Sequence, residues 1–539
     1  MSKITQYLGR YIAGEATDDE SVRDYFASDG SVLRYRPVAV VYPRTTDDVR
    51  KVLRFSWRMA EKGVRLPITA RGYGTDNSGS AIGNGIVVVF PTHQQKVLEL
   101  DTRQKKIRVQ SGMNMRTLNE ILATHGLFMP IYPTNSKLST VGGSIANNVM
   151  GPKSVKYGNM RNWVDRLEVI LSNGEIIQTG RISKRELNTK MGLQTLEGEI
   201  YREVNALIDE NAGLIKEYNS IGVTNAGYNL ADIKADDGSF DLTPLFVGSQ
   251  GTLGVISQAI LNLAPRPMET ALLVAALPSL DDFADIVSAI KQFEPCEFEF
   301  IDGAALEYIE TVNQAKPLNT LTKSNPEGAL IIEFDDGEGS KSKNAKNAIK
   351  VLGLYGAKAE IAENQDEKED IWGSRYSASI ITNQYGNGMQ PITICDGVVS
   401  SSKLGIFRDG LAKLVTSRKI EGFITGRVGV GNLGITTQLD LEKIAGRQAA
   451  FVLGKDYYRL VSTLGGSILG DSGDGRLRIE AAREQYGERM GELFGHIKNI
   501  FDPKGILNPG VIVTDGKDDL IVRLNRDKSI RFADYRPSI

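Results

Sequence analysis

The chain has 539 residues, with 64 Lys and Arg against 66 Asp and Glu for a formal net charge of −2. Hydrophobic residues at 41% and charged residues at 24% are globular values, which excludes a mainly disordered or membrane-embedded chain. The missing basic excess removes the electrostatic footprint of a nucleic-acid binder. The length predicts two or three domains. The 56 glycines exceed the usual share of about 7% and ask for a reason.

Two cysteines, Cys296 and Cys395, cannot build a disulfide framework, an iron–sulfur cluster or a Cys-rich zinc site, and they fit a reducing cytoplasm. The opening residues lack a signal-peptide core, and no run approaches the ~18 apolar residues of a membrane span. A cytoplasmic protein without a transmembrane segment is expected, with peripheral membrane docking as an option. The three histidines, His93, His125 and His496, stand apart in sequence and read as structural.

Residues 1–33 read as an N-terminal helical segment. From Arg34 to Pro267, short strands alternate with helices and glycine-rich turns. Thr45-Thr46-Asp47-Asp48 opens a helix with a capping residue and early carboxylates, Val49, Val52, Leu53 and Ala60 recur at helical spacing, and Lys62-Gly63 closes it. Strands are expected at Val64–Ile68 and Ile86–Phe90, and hairpins over Leu98–Leu100 with Ile107–Val109 and over Leu167–Leu171 with Glu175–Thr179. The second turns on Ser172-Asn173-Gly174. After Pro265-Arg266-Pro267, strands at Ala271–Ala276, Glu297–Ile301, Ala329–Phe334 and Ala359–Ala362 alternate with amphipathic helices, an α+β pattern. Asp336–Lys346 reads as a loop and exposed helix start, and 515–539 as a charged peripheral tail.

The glycines cluster in three places. Arg71-Gly72-Tyr73-Gly74-Thr75-Asp76-Asn77 follows a strand, where backbone N–H groups free of side-chain bulk can form an anion-binding nest. Ser139-Thr140-Val141-Gly142-Gly143-Ser144-Ile145-Ala146-Asn147-Asn148 runs on to Gly151 and Tyr157-Gly158, and Val247-Gly248-Ser249-Gln250-Gly251-Thr252-Leu253-Gly254-Val255-Ile256 forms the third. Each alone reads as a tight turn. Together, interleaved with Ser, Thr and Asn, they suit an extended ligand carrying a pyrophosphate. The first is not a Rossmann fingerprint, because Asn77 takes the third glycine position.

In this order the clusters resemble the FAD-binding domain of the vanillyl-alcohol oxidase / p-cresol methylhydroxylase superfamily. Tyr35-Arg-Pro37 through Pro43 and Phe501-Asp-Pro503 through Asn508-Pro509-Gly510 resemble its lead-in and its C-terminal signature. Within the superfamily the chain is most similar to FAD-linked 2-hydroxy-acid dehydrogenases of the glycolate oxidase and D-lactate dehydrogenase type. The resemblance implies an α+β fold: a PCMH-type FAD-binding domain of two α/β subdomains at 34–267, a cap domain with an antiparallel sheet at 268–500, and a segment at 501–514 returning to the flavin. It further implies that Arg71, Gly72, Tyr73, Gly74, Thr75, Asp76 and Asn77 wrap the pyrophosphate. Thr140, Gly142, Gly143, Asn148, Gly151, Tyr157 and Gly158 would line pyrophosphate and ring, and Gly251, Thr252, Gly254 and Ile256 would lie near ribityl and adenine. Asn508 belongs to the same implied cofactor set. Relatives with covalent flavin use a His where Thr75 stands, so non-covalent FAD is expected.

The family's cap carries G-H-x-G-D-G-N-x-H and E-H-G; the histidines and the glutamate hold a divalent metal, and the His of E-H-G acts as the base. Here Arg427 and Gly434 stand at the two His positions around Asn432, and Asp471-Ser472 replaces Glu-His. The family histidines are absent, so no metal site is expected. Gly429-Val-Gly431-Asn-Leu-Gly434 spells G-x-G-x-x-G, but a strand-like run follows and a nucleotide reading fails. Candidate chemistry falls to Arg375, at the position of the family's carboxylate-gripping arginine or else in a structural salt bridge, to Arg427 as a cation near an alkoxide or else in an ion pair with Asp471 or a neighbour, to Asp471 as base, and to Tyr228 and Asn432 as donors. Cys395-Asp396 shows no partner that marks it as reactive. The expected function is hydride transfer from an alcohol carbon of a 2-hydroxy acid to FAD, with electrons passed to a quinone, cytochrome, flavoprotein or oxygen. The alternatives are an FAD oxidase of another alcohol or sugar, and a non-catalytic FAD-binding electron-transfer subunit.

Overall fold

The computed structural model describes residues 2–219, 225–313, 325–337, 341–381, 390–514, 516 and 520–524. It divides into two compact units: residues 2–149 with Asn159–Pro265 and 472–524, and Met150–Gly158 with Arg266–Asp471. The expected boundary at 500/501 therefore falls at 471/472, and the short stretch Met150–Gly158 goes with the second unit. Helices Ile479–Tyr486 and Glu488–Phe501 belong to the first unit.

In the first unit, β1 (Glu15–Thr17), β2 (Ala39–Tyr42), β3 (Ile68–Arg71) and β4 (Ile86–Val89) form one sheet in the order β1-β2-β4-β3. The 1–33 segment is thus not purely helical, because β1 pairs with β2 at the sheet edge. The helix Thr46–Glu61 starts as read, with a capping box between Thr45 and Asp48. The strand expected at Val64–Ile68 begins instead at Ile68. Pro67 has no N–H to give to a ladder, and Val64 is exposed. The C-terminal segment runs beside β3: Ile68 N–H donates to the Ile506 carbonyl and Asn508 N–H to the Ile68 carbonyl. Ile506 and Leu507 are buried in a core with Val49, Val52, Leu53, Val88 and Val255.

The second sheet of this unit contains β5 (Val97–Asp101), β6 (Lys106–Gln110), β8 (Val164–Ile170), β9 (Ile176–Gln178) and β10 (Val255–Asn262), antiparallel in the order β5-β6-β10-β8-β9. A two-stranded pair joins β7 (Leu127–Phe128) to β11 (Ala264–Pro265). Most of the expected tail lies outside the described residues; in its described part Ile521 and Val522 are exposed, and the end is tied to the first unit. Arg34 N–H donates to the Arg523 carbonyl, the Arg523 guanidinium lies 4.8 Å over Tyr35, and Leu524 is buried.

In the second unit a seven-stranded antiparallel sheet runs β15-β12-β14-β13-β17-β18-β16. Its strands are β12 (Ala271–Leu277), β13 (Glu297–Asp302), β14 (Gly328–Phe334), β15 (Lys358–Ile361), β16 (Gln390–Ile394), β17 (Gly422–Gly426) and β18 (Gly434–Leu439). Leu272, Val274, Ile301 and Ile331 pack there with Ala305, Leu306, Ile309 and Ile371 of two helices. Glu297 and Glu299 alternate with Phe298 and Phe300 along β13, so both carboxylates share the face that carries Ile301.

The histidines have structural settings. His93 Nε2 lies 2.8 Å from Glu15, His125 Nδ1 lies 3.3 Å from the Ile121 carbonyl just past a helix end, and His496 sits within the helix Glu488–Phe501.

Candidate functional site

Apart from Gly151 and Tyr157-Gly158, the three glycine clusters converge within the first unit. A Cβ on Gly72 would lie 2.5 Å from Thr140 Oγ1, so the first cluster needs glycine to approach the second. Gly248 and Gln250 N–H donate to the Ile145 and Ala146 carbonyls, which joins the third cluster to the second. Gln250 is the hub. Its Nε2 donates to Asn147 Oδ1 at 2.7 Å and to Ser78 Oγ at 3.2 Å, and its Oε1 accepts from Gly475 N–H at 2.8 Å. The segment after Asp471 adds a second tie, because Arg478 donates to Asn77 Oδ1, Ser472 Oγ and the Gly473 carbonyl.

Within this convergence the backbone, more than the expected side chains, offers unpaired donors. The N–H groups of Gly72, Tyr73, Gly74 and Thr75 have no protein acceptor among the described residues. The buried hydroxyls of Ser111, packed under Gly142, and of Ser144 also lack a partner. Such free donors beside tightly packed glycines are the chemistry a phosphate-bearing cofactor requires.

Several side chains expected on the cofactor are engaged by protein instead. The buried Arg71 guanidinium donates to the Ala81 carbonyl and lies 5.1 Å over Phe26. Asp76 accepts from Ser78 and Ser80 N–H, forming the turn, and Thr75 Oγ1 donates to the Leu138 carbonyl. Thr140 caps its helix by accepting from Gly143 N–H. Asn148, at φ +44°, donates to Asn225 and accepts from Arg161 N–H. Asn508 donates to the Ser80 and Gln250 carbonyls and accepts from Thr69, so it pins the returning segment.

Gly254 is a packing glycine, with Val169 2.5 Å from where its Cβ would be, whereas at Gly251 a Cβ would only touch Ala70 at 3.9 Å and it is the φ of +73° that favours glycine. Ile256 is a buried strand residue of β10. Tyr228, expected as a catalytic donor, is fully enclosed. Its hydroxyl sits 2.8 Å from Thr252 Oγ1, which donates on to the Ser249 carbonyl, and burial raises its pKa well above the usual tyrosine value.

Gly151, Tyr157 and Gly158 lie in the stretch that belongs to the second unit, with Arg375, Arg427, Asn432 and Asp471. There Arg427 donates to the Asp471 carboxylate. Burial works against the Arg427 charge, but Asp471, Glu299 and Cys395 outweigh it and raise its pKa. Ligand atoms of Cys395, Asp396 and Asp471 lie within 4.8 Å of one another, so Cys395-Asp396 is not the isolated pair the sequence suggested. The family's divalent metal does not fit this set as it stands, because a guanidinium already holds Asp471.

Arg375 does not stand ready as a carboxylate grip: its Nε and Nη2 both donate to Glu299 Oε2, at 2.9 and 2.6 Å, in a buried pair. Asn432 Nδ2 donates to the Cys395 and Gly397 carbonyls and so fixes the Cys395–Gly397 turn. Of the five expected catalytic residues, Arg427 and Asp471 are the two brought together in a mutual pair.

The FAD binding domain family matches residues 37–180, and the family of FAD linked oxidases, C-terminal domain, matches 266–512. The chain is 28% identical over 515 residues to D-2-hydroxyglutarate dehydrogenase of Pseudomonas putida, covering 93% of this chain and 50% of that protein. It is 28% identical to glycolate oxidase subunit GlcD of Bacillus subtilis, covering 94% and 96%, and 27% identical to D-lactate dehydrogenase of Archaeoglobus fulgidus, covering 88% and 91%. The chain spans about half the length of the D-2-hydroxyglutarate dehydrogenases it matches. A structure of p-cresol methylhydroxylase with substrate bound shares the fold at a TM-score of 0.67 and 12% identity, covering 94% of this chain and 95% of that one. With both FAD-linked domains matched in order and the fold shared, the chain belongs to the FAD-linked oxidases of the p-cresol methylhydroxylase fold.

Proposed function

We propose that the protein is an FAD-dependent dehydrogenase that oxidises the CH–OH group of a 2-hydroxy acid of the D-lactate or glycolate kind, without the family's metal. The observation that carries this reading is the Arg427–Asp471 pair at the positions of a metal ligand and the metal-holding carboxylate. The relatives named above support the substrate class.

The free N–H groups of Gly72, Tyr73, Gly74 and Thr75 would hold the FAD phosphates, with the Ser111 and Ser144 hydroxyls as further donors. Thr75 leaves no histidine for a covalent link at that position, so the cofactor is held non-covalently. When bound, FAD supplies the two-electron acceptor for the hydrogen on the alcohol carbon. Arg427 then provides the fixed positive charge that stabilises negative charge developing on the substrate oxygen, a contribution of about 3–4 kcal/mol where a single such donor has been removed from other sites. Asp471, held by Arg427, takes the hydroxyl proton. The electrons pass to a separate acceptor: quinone, cytochrome, flavoprotein or oxygen. No helix among the described residues is long and apolar enough to cross a membrane, and we place the protein in the cytoplasm, with peripheral membrane contact as an option.

One observation favours a second reading, a neutral alcohol or sugar as substrate. Arg375 and Arg427 are each matched by a carboxylate, which lowers the positive charge available to an anionic substrate. Turnover with an artificial dye acceptor separates the readings. Activity confined to D-lactate, glycolate or D-2-hydroxyglutarate supports the first, and activity confined to neutral alcohols the second. A flavin-loaded protein that turns over neither class is an electron-transfer subunit.

A further inference from the structure

The register of β13 and β14 sets Glu297 directly opposite Glu333, and both side chains are buried. Like charges in that relation destabilise a sheet unless a counter-charge lies between them. Lys153 supplies it: its Nζ donates to Glu297 Oε1 at 2.7 Å and to Glu333 Oε2 at 2.6 Å, with only 13% of its side chain exposed. Cys296 Sγ lies 3.7 Å from both Lys153 Nζ and Glu333 Oε2. One turn on, Lys156 Nζ and the Tyr157 hydroxyl donate to Asp335. The stretch Met150–Gly158 is therefore fastened to the sheet of the second unit by two cations.

That stretch also touches the backbone carrying the Arg427–Asp471 pair. Met150 N–H donates to the Asp471 carbonyl. Gly429, two residues after Arg427, packs so closely on Val155 that a Cβ would lie 2.7 Å from it. We propose that Lys153 is a positioning residue: gripped by Glu297 and Glu333, it sets the Met150–Gly158 stretch against the Arg427 and Asp471 loops, and a proton on the glutamate pair governs the grip. The proposal rests on the reading of Arg427–Asp471 as the reacting site.

One lysine between two ionised carboxylates leaves a buried excess of negative charge, whereas one proton makes the group neutral. Burial holds the Glu297 pKa up at about 8, against the pull of Lys153 and reinforced by Glu333 and Glu299. For Glu333, burial raises the pKa, but the Lys153 charge and its hydrogen bond, with one from Thr270, bring it below the ordinary value. Cys296, Asp335, Lys156 and Tyr157 complete the titratable groups facing the cluster. Because the folded-state value of Glu297 is raised, the proton is present at neutral pH and is lost as pH rises through about 8, which leaves two buried carboxylates repelling each other across Lys153 and shifts the ammonium between them.

The test is the visible circular dichroism of the flavin-loaded protein and its Tm, each followed from about pH 6 to about 9.5. The wild type should show a spectral transition near pH 8, and Glu297→Gln, neutral at every pH, should lack it. Lys153→Met should lower kcat at least tenfold with KM within twofold, and Lys153→Arg should restore most of it. If Lys153→Met does not fold, Glu297→Gln still decides. An unchanged transition in Glu297→Gln, or a folded Lys153→Met with wild-type kcat and spectrum, overturns the proposal. A protein that turns over no alcohol but keeps a Glu297-dependent transition refutes the reading of the site while sparing the placement by Lys153.

Discussion

Arg427 donates to Asp471 across 44 residues of sequence, joining the loop after β17 to the last residue of the second unit's main stretch. Where the family resemblance places a metal ligand and a metal-holding carboxylate, this chain carries an ion pair of its own. For the proposed oxidation the pair offers both a cation and a proton acceptor, and each moderates the other.

Arg427→Ala and Asp471→Asn should each lower kcat/KM by about 10²–10³-fold, and the double variant should be little worse than the poorer single, because the two act as a unit. Breaking a largely buried pair also costs up to about 3–5 kcal/mol, so thermal unfolding must be followed beside the kinetics. Unchanged kcat/KM in folded variants would confine the pair to a structural role.

Gly72→Ala should lose flavin. The new Cβ meets Thr140 Oγ1 at 2.5 Å, so either the loop shifts or Thr140 rotates and abandons its cap on Gly143, a loss of about 1 kcal/mol. Gly213, in the helix Ala212–Asn219 with nothing within 4 Å of a Cβ, is the control. Gly213→Ala should keep full flavin content and gain up to about 1 kcal/mol from helix propensity. The ratio of flavin to protein absorbance, with Tm, checks both.

Stability should fall as pH rises from about 4 to about 7. Asp474 is fully buried, accepts from Gly227 N–H through Oδ2, and leaves Oδ1 without a partner. Burial holds its pKa at about 7 against the pull of that hydrogen bond and of Arg478. With the folded value above the unfolded one, the folded state binds the extra proton, so each pH unit inside that window removes up to about 1.4 kcal/mol. Asp29, also raised to about 7 by burial and by Asp76, acts in the same direction. Asp474→Asn should flatten part of the slope of Tm against pH, and an unchanged slope would contradict the assignment.

The helix after Thr45, both hairpins and four strands of the second unit were legible because each rests on local pattern: a cap, an Asn-Gly turn, apolar runs bounded by breakers. The convergence of the glycine clusters was legible only through resemblance, and its mechanics were not. Gln250 looks like any turn residue, yet it ties Ser78, Asn147 and Gly475 together, because its partners come from three distant segments. Arg375, Asn432 and Tyr228 have the right chemistry for a site, but each found a protein partner that no spacing discloses. The Lys153 cluster had a faint sign in Glu297-Phe298-Glu299-Phe300, whose alternation puts two acids on one sheet face. Only the register with Glu333 and the position of Lys153 show what balances them.

The most direct test of the central claim is anaerobic bleaching of the flavin. The purified protein, with and without EDTA, is mixed with D-lactate, glycolate or D-2-hydroxyglutarate while the flavin absorbance is followed. The account predicts that at least one hydroxy acid bleaches the flavin at a rate EDTA does not change, and that Arg427→Ala slows it by about 10²-fold or more. Bleaching that EDTA abolishes and a divalent ion restores, or a flavin that none of the three acids reduces, would contradict it.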